Sequence, residues 1–511
     1  MAKPTSLIYI SATRPRGQEG DSVPGRFTDR ILRAPVAFTF RDLILLPGLA
    51  EVEPGEVDVS TRVSVHHRLN IPFVSSPMDT VTEAEMAIAL ARQGGLGVLH
   101  RNCSIEEEVE MAKRVKRAES FVIRDVVTVR PDQTVGEAIS IMREHDISGL
   151  PVVDHDGRLV GIVTARDVRF ADPGLRVSDV MTGSDHLVKV EEGITIEEAK
   201  KILQEHRIEK LPVVDEGGRL KGLITVKDIM LRDKFPNAVR DEEGRLLCAA
   251  AISPFDLERA LKLDKYVDIL VVDVAHFHNR NCMEATKKIM AEVGADVVVG
   301  NIGTYQATVD VITGLEDVAG LRAGIGSGSI CVTMELLKAG SPTLFATAQV
   351  ADALAEYGAL GRIPIIADGG VRSPGDAALA LALGASCVMM GNVFAGCKEA
   401  PGEVVAIGGR YFKRYRGMAS PSARARRHAV DRYFSKRIAE GVEGLVPYRG
   451  DVASVVAEFV EGLKAAMGYA GAKNIRELWE KARVAMLTEV GVKEAGPHSI
   501  LLPSQEPLRS W

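Results

Sequence analysis

The run IPIIADGGVRSPGDAALALALGASCVMMGN, residues 363–392, reads as strand, helix, strand. IPIIADGG (363–370) is apolar on both faces until it closes on Asp and Gly, and SCVMMGN (386–392) repeats that pattern. Between them PGDAALALALG (374–384) has helical periodicity, with proline at its start. Strands that are apolar throughout and joined by helices belong to a buried parallel sheet. Six more runs have the same form: IPFVSS (71–76), GLGVLH (95–100), LLCAAAI (246–252), VDILVVDVA (267–275), ADVVVGN (295–301) and LRAGIGSG (321–328). Eight such strands predict an α/β fold, a (β/α)8 TIM barrel. A doubly wound open sheet is the alternative, but it requires a reversal of strand order that the sequence does not display. Barrel enzymes work at the C-terminal ends of their strands. Here those ends carry Ser76, Asp273, Asn301, Gly328, Asp368, Gly370 and Gly391.

The second and third runs are separated by an insertion of about 120 residues with an ungapped internal repeat. TVGEAISIMREHDISGLPVVDHDGRLVGIVTARD (134–167) matches TIEEAKKILQEHRIEKLPVVDEGGRLKGLITVKD (195–228) at a constant offset of 61. Each copy reads helix, strand, turn, strand, helix. The predicted organisation is a first barrel part at 1–121, an inserted module at 122–232 and a second barrel part at 233–511. Residues 1–30, rich in Arg, Gly, Ser and Pro, are expected to be loosely ordered. The polar, basic stretch 408–440 is expected to be a mobile flap. Both copies resemble CBS domains, and the pair resembles a Bateman module. That resemblance makes Thr164, Asp167, Thr225 and Asp228 candidate contacts for a regulatory purine nucleotide, although Thr and Asp at these positions also suit helix capping.

The chemistry gathers in LRAGIGSGSICVT (321–333), where glycines alternate with small residues before Cys331 and Thr333. Glycine at every second position frees backbone groups to turn toward a phosphate or a cation. A cysteine among those dipoles is a candidate nucleophile, because the thiolate is the reactive form. ADGGV (367–371) and MGN (390–392), after the seventh and eighth strands, stand where barrels hold phosphate.

Composition narrows the partners. The 511 residues carry a net charge of −6, with 46% hydrophobic and 26% charged residues. This gives no electrostatic reason to bind nucleic acid or an anionic membrane. No apolar run reaches the roughly 18 residues that span a bilayer. The N-terminus lacks an apolar signal core. Cys103, Cys248, Cys282, Cys331, Cys387 and Cys397 form no C-x-x-C pair, so reduced thiols in a cytoplasmic setting fit best.

The cysteine loop resembles that of the IMP dehydrogenase family, and the resemblance extends over about residues 36–499. It implies oxidation of IMP to XMP with NAD and water, through a covalent bond from Cys331 to the purine and with Thr333 orienting the reacting groups. It implies that Ser329, Gly370, Gly391, Asn392 and Tyr415 hold the IMP phosphate and that Asp368 holds the ribose. Gly417, Met418 and Glu440 would meet the base, with Ser76 and Met78 completing the pocket. Asp273, Asn301 and Gly324 would serve NAD. Carbonyls of Gly326, Gly328 and Cys331 would coordinate a monovalent cation, usually K+, with Glu494, Ala495 and Gly496 contributed by a neighbouring subunit of a homo-oligomer, expected to be a tetramer. Arg432 and Tyr433 in DRYF (431–434) match the flap pair that activates water. GMP reductases share the cysteine loop and lack that pair, so DRYF favours the dehydrogenase. A nucleotide sensor built on a decayed barrel is the non-enzymatic alternative. Three residues depart from the family pattern: Phe277 and Ala419 stand at usual glycines, and Asn392 at a usual serine.

Overall fold

The computed structural model describes residues 33–119, 121–124, 126–145, 147–425 and 439–497. The chain divides into two units, 1–37 and 38–511. Of the first only 33–37 is described, as an exposed irregular segment, so the expectation for residues 1–30 lies outside the described residues.

Eight strands of the second unit close into a parallel barrel: β1 (Phe73–Ser75), β2 (Leu96–Leu99), β3 (Ala249–Ile252), β4 (Ile269–Val272), β5 (Asp296–Ile302), β6 (Gly320–Ala323), β7 (Ile365–Asp368) and β8 (Cys387–Met390). Every strand pairs with its neighbours in sequence order, and β3 closes the ring on β2. Each of the eight apolar runs supplies one strand. All four residues of β2, β3, β4, β6 and β8 are buried, which is why these runs lack a polar alternation. The helix Pro374–Ala382 between β7 and β8 starts with proline in its first turn, and the Ser373 hydroxyl caps it by accepting the Asp376 N–H.

The insertion leaves the barrel through the helix Ile105–Ala118. Its two halves have the predicted order. The helices Val135–Glu144 and Ile196–His206 each precede a two-stranded antiparallel pair, Gly149–Val153 with Leu159–Thr164 and Lys210–Val214 with Leu220–Thr225. The 61-residue offset reappears as a reciprocal pair of backbone hydrogen bonds between the copies. Leu159 N–H donates to Gly218 O at 3.0 Å, and Leu220 N–H donates to Gly157 O at 3.1 Å. Two details depart from a plain duplication. The closing helix has nine residues in the second copy (Val226–Lys234) and four in the first (Ala165–Val168), where Pro173 follows closely. Ile123, which precedes the first copy, pairs with Leu223 of the second. Ion pairs join the two crossings at the root of the insertion. Lys116 Nζ lies 2.9 Å from Asp241 and 2.6 Å from Asp268, and Glu119 bridges Arg92 and Arg240 at 2.8 Å each.

The stretch 408–440 is more ordered at its start than a mobile flap. Arg410–Arg416 is the central strand of an antiparallel sheet with Val404–Ile407 and Glu443–Pro447. Lys413 is buried there, with its ammonium donating to carbonyls of Cys397, Lys398 and Ala400.

At the opposite end of the barrel from the predicted rim, Asp296 begins β5 and gathers the loop before β1. It accepts from Ser64 Oγ, from His66 Nδ1 at 2.7 Å and from His67 Nδ1 at 3.0 Å. Burial opposes its charge, but the hydrogen bonds from His67, Ser64 and His66 outweigh burial and hold the carboxyl well below the usual range. A depressed folded-state pKa stabilises the protein above the unfolded value of 3.8 and ceases to do so as pH falls through the folded value. Asp296→Asn is therefore expected to cost about 1–3 kcal/mol at pH 7. The gap between the urea midpoints of wild type and variant should begin to narrow below about pH 3.8 and close progressively toward the folded value. A gap that stays constant down to the acid transition would contradict this.

Candidate functional site

The C-terminal rim of the barrel opens into a cavity of about 730 Å³. Its floor is the loop that follows β6. Gly324 and Gly326 adopt φ of +122° and +82°, in the left-handed region that favours glycine. A Cβ on Gly324 would stand 2.6 Å from the Asp368 carbonyl oxygen, so only glycine lets this loop lie against β7. Cys331 N–H donates back to Gly328 O at 3.0 Å. Residues 440–442 hold the loop from the other side, through Val332 N–H to Glu440 O at 3.1 Å and Val442 N–H to Ile330 O at 3.0 Å.

Cys331 is half-exposed, whereas the other five cysteines are buried. Burial pushes the Cys103, Cys248 and Cys397 thiols up to about 12 and Cys387 higher still, which leaves them inert at neutral pH. Cys331 Sγ lies 3.2 Å from Thr333 Oγ1, and that hydroxyl donates to Glu440 Oε2 at 2.9 Å. Thiol, hydroxyl and carboxylate thus form a hydrogen-bonded chain leading away from the sulfur.

Asp273 and Asp368, at the ends of β4 and β7, are joined by Arg322 of β6. Its guanidinium donates to Asp273 Oδ1 at 2.9 Å and to Asp368 Oδ2 at 2.8 Å. Asn301 Nδ2 also donates to Asp368 Oδ2 at 2.8 Å, and to Gly324 O at 2.6 Å. Burial alone would lower the Arg322 pKa, but the two carboxylates outweigh burial and raise it, so the group stays charged. Arg101 adds a second cation, donating to Asp273 O at 2.9 Å.

On the facing wall, a Cβ on Gly391 would meet Tyr415 Oη at 2.6 Å, Met78 Sδ at 3.3 Å and Ser76 Oγ at 3.5 Å. Two distant pieces of chain, the loop after β1 and the strand Arg410–Arg416, therefore converge on this glycine. Burial pushes the Tyr415 phenol above its ordinary range and keeps it a neutral donor. Asp79 fixes the strand Arg410–Arg416 to the loop after β1 by accepting from Arg416 Nε at 3.0 Å.

The cavity is lined by Ser76, Met78, Asp273, Asn301, Gly324, Gly326, Gly328, Ser329, Cys331, Thr333, Asp368, Gly370, Gly391, Asn392, Tyr415, Gly417, Met418 and Glu440. Arg432 and Tyr433 lie outside the described residues. Glu494, Ala495 and Gly496, at the end of the helix Glu489–Glu494, do not line the cavity. Thr164 and Asp167 cap a helix within the insertion, as do Thr225 and Asp228. Phe277 is fully buried in the barrel core, with its N–H on Asn301 O at 2.9 Å, so this departure from glycine faces away from the cavity. Sequence reasoning missed Arg322, Arg101 and the Asp79–Arg416 pair. A lone arginine in the otherwise apolar β6 was the available signal for the first.

The arrangement defines a barrel with a glycine-rich rim closed around one accessible cysteine. Residues 37–498 match the family model described as IMP dehydrogenase / GMP reductase domain. An inosine-5'-monophosphate dehydrogenase of Korarchaeum cryptofilum is 58% identical over 92% of this chain and 98% of its own. One of Methanocaldococcus jannaschii is 48% identical over 94% and 99%. Among solved structures, a Trypanosoma brucei GMP reductase in complex with guanosine 5'-monophosphate superposes with a TM-score of 0.84 at 36% identity, covering 93% of this chain and all of that one. The chain belongs to the IMP dehydrogenase / GMP reductase family.

Arg322→Leu would leave two carboxylates facing each other with no shared cation. The expected loss is about 3–5 kcal/mol, read as a lower denaturation midpoint. Arg322→Lys keeps the charge but not the fork, so it should recover only part. An Arg322→Leu protein as stable as wild type would contradict the assigned role of the bridge.

Proposed function

We propose that the chain is an NAD-dependent oxidoreductase that oxidises IMP to XMP, the committed step of guanine nucleotide synthesis. The observation that carries this reading is the accessible Cys331 at the head of its hydrogen-bonded chain to Glu440, inside a rim suited to a nucleotide. Eight curated relatives at 42–58% identity, each named inosine-5'-monophosphate dehydrogenase, support it.

Ser329, Gly370, Gly391, Asn392 and Tyr415 hold the phosphate through neutral donors, and Asp368 accepts from the ribose hydroxyls. Gly417, Met418 and Glu440 flank the base, with Ser76 and Met78 behind it. The Cys331 thiol passes its proton to Thr333, whose own proton moves to Glu440, and the sulfur adds to C2 of the purine. Asp273, Asn301 and Gly324 fit a dinucleotide: Asp273 lines the cavity with its carboxylate, where an acidic side chain can take a ribose diol. NAD, when bound, accepts the hydride that leaves C2. Arg432 and Tyr433 then activate water, which attacks C2 and releases XMP and the thiolate. Covalent catalysis divides one difficult substitution into two easier steps.

Carbonyls of Gly326, Gly328 and Cys331 would hold the monovalent cation, K+, where it would steady the cysteine loop. Glu494, Ala495 and Gly496 of a neighbouring subunit in a cytoplasmic tetramer would add the remaining ligands. Segment 122–232 is a CBS pair that binds a regulatory purine nucleotide near Thr164, Asp167, Thr225 and Asp228. A T. brucei GMP reductase, 33% identical over 90% of this chain with a TM-score of 0.75, was solved in complex with guanosine 5'-triphosphate, which is consistent with a purine nucleotide as ligand. The solved GMP reductases also favour a second reading, reductive deamination of GMP with NADPH. DRYF and the closer curated relatives weigh against it.

An assay with IMP and NAD should give NADH and XMP, and GMP with NADPH should give no ammonia. Cys331→Ala should abolish both steps. Arg432→Ala should give a burst of about one NADH per site, then turnover slowed at least about tenfold, the low end for losing a general base. An unchanged steady-state rate in Arg432→Ala would contradict the water-activating role. Replacing K+ with a bulky organic cation should suppress turnover, and an unaltered rate would remove the cation from the account.

A further inference from the structure

The rim set assigned to the phosphate contains no cation. Ser329, Gly370, Gly391, Asn392 and Tyr415 are all uncharged, whereas a phosphomonoester carries about 1.5–2 negative charges at pH 7. Charge-assisted hydrogen bonds are roughly twice as strong as neutral ones, and the arginine fork matches phosphate geometry.

Four arginines line the cavity: Arg41, Arg101, Arg322 and Arg372. Three already have an acid. Arg322 spans Asp273 and Asp368, Arg101 Nε lies 3.8 Å from Asp273, and Arg372 Nε lies 3.7 Å from Asp376. The guanidinium of Arg41 has no ion pair or hydrogen bond among the described residues.

Its position is fixed from both sides. Phe40 is buried against Gly370, where a Cβ would stand 3.2 Å from Phe40 Cε2. Leu43–Leu46 is paired with Arg483–Met486. Between them, Asp42 Oδ2 accepts from Thr39 N–H at 2.7 Å and Thr39 Oγ1 at 2.8 Å, and Asp42 N–H donates to Thr39 O at 3.1 Å. The neighbouring carboxylate is thus committed to its own turn. Arg41 is held at the corner of that turn, next to the residue that packs on the phosphate-type loop.

We propose that Arg41 is a substrate-binding residue whose guanidinium closes on the 5'-phosphate of the purine nucleotide from outside the Gly369–Gly370 loop, supplying the cation that the neutral rim lacks. The inference rests on the function proposed above and adds a residue that selects a charged nucleotide over its nucleoside.

The test is calorimetric titration of wild type, Arg41→Ala and Arg41→Lys with IMP and with inosine, alongside steady-state rates at several ionic strengths. Arg41→Ala is expected to weaken IMP binding and raise KM for IMP roughly tenfold, the equivalent of one charged contact. Affinity for inosine and KM for NAD should stay within about twofold. The fall of kcat/KM for IMP with salt should flatten in Arg41→Ala and return in Arg41→Lys, because long-range attraction is what salt screens. Unchanged IMP affinity and an unchanged salt slope in Arg41→Ala would overturn the assignment, as would an equal loss for inosine. A wild type that binds IMP but does not oxidise it would count against the proposed function alone, since the titrations still read on Arg41.

Discussion

One buried cation ties together the mouth of the barrel. Arg322 reaches from β6 to the carboxylate that ends β4 and to the one that ends β7, and Asn301 of β5 joins the second of these. Four consecutive strand ends are thereby held in one charged network. Carboxylates at a barrel rim repel each other, and a shared guanidinium turns that repulsion into a fixed spacing. The glycine loop depends on this spacing, because Gly324 lies within 2.6 Å of Asn301 Nδ2 through its carbonyl.

From that platform the loop carries Cys331 outward and is secured at its far end by backbone bonds to Glu440 and Val442. The sulfur is therefore positioned by two independent sets of contacts, one from the strands below and one from residues 440–442. The second set also delivers the carboxylate at the end of the thiol–hydroxyl chain. Any displacement of residues 439–442 moves both the loop and the Glu440 carboxylate.

The eight strands were legible because a barrel strand is buried on both faces, and an apolar run bounded by Gly, Asp or Asn records that directly. The internal repeat was equally plain, and its offset reappears as reciprocal hydrogen bonds between Gly157–Leu159 and Gly218–Leu220. The rim residues could be found because glycine alternation and strand-end acids have few other uses. What stayed hidden depends on partners distant in the chain. Arg322 looks like an isolated polar residue until Asp273 and Asp368, 49 and 46 positions away, are placed beside it. Asp79 and Arg416 are separated by 337 positions. Arg410–Arg416 read as part of a loop because its charges mask a strand, and burial of Lys413 is tolerated only because three carbonyls receive its ammonium. Phe277 marked a departure from the family, but no local pattern showed that its ring enters the core.

The central claim is a covalent bond between Cys331 sulfur and C2 of the purine. Rapid quenching of the enzyme during turnover of IMP and NAD, followed by tryptic digestion, isolates Cys331 in the peptide 323–338, cut after Arg322 and Lys338. Mass spectrometry should find that peptide carrying the added mass of the oxidised nucleotide, and should find it unmodified when NAD is left out. Active enzyme that never yields the adduct on this peptide would contradict the account.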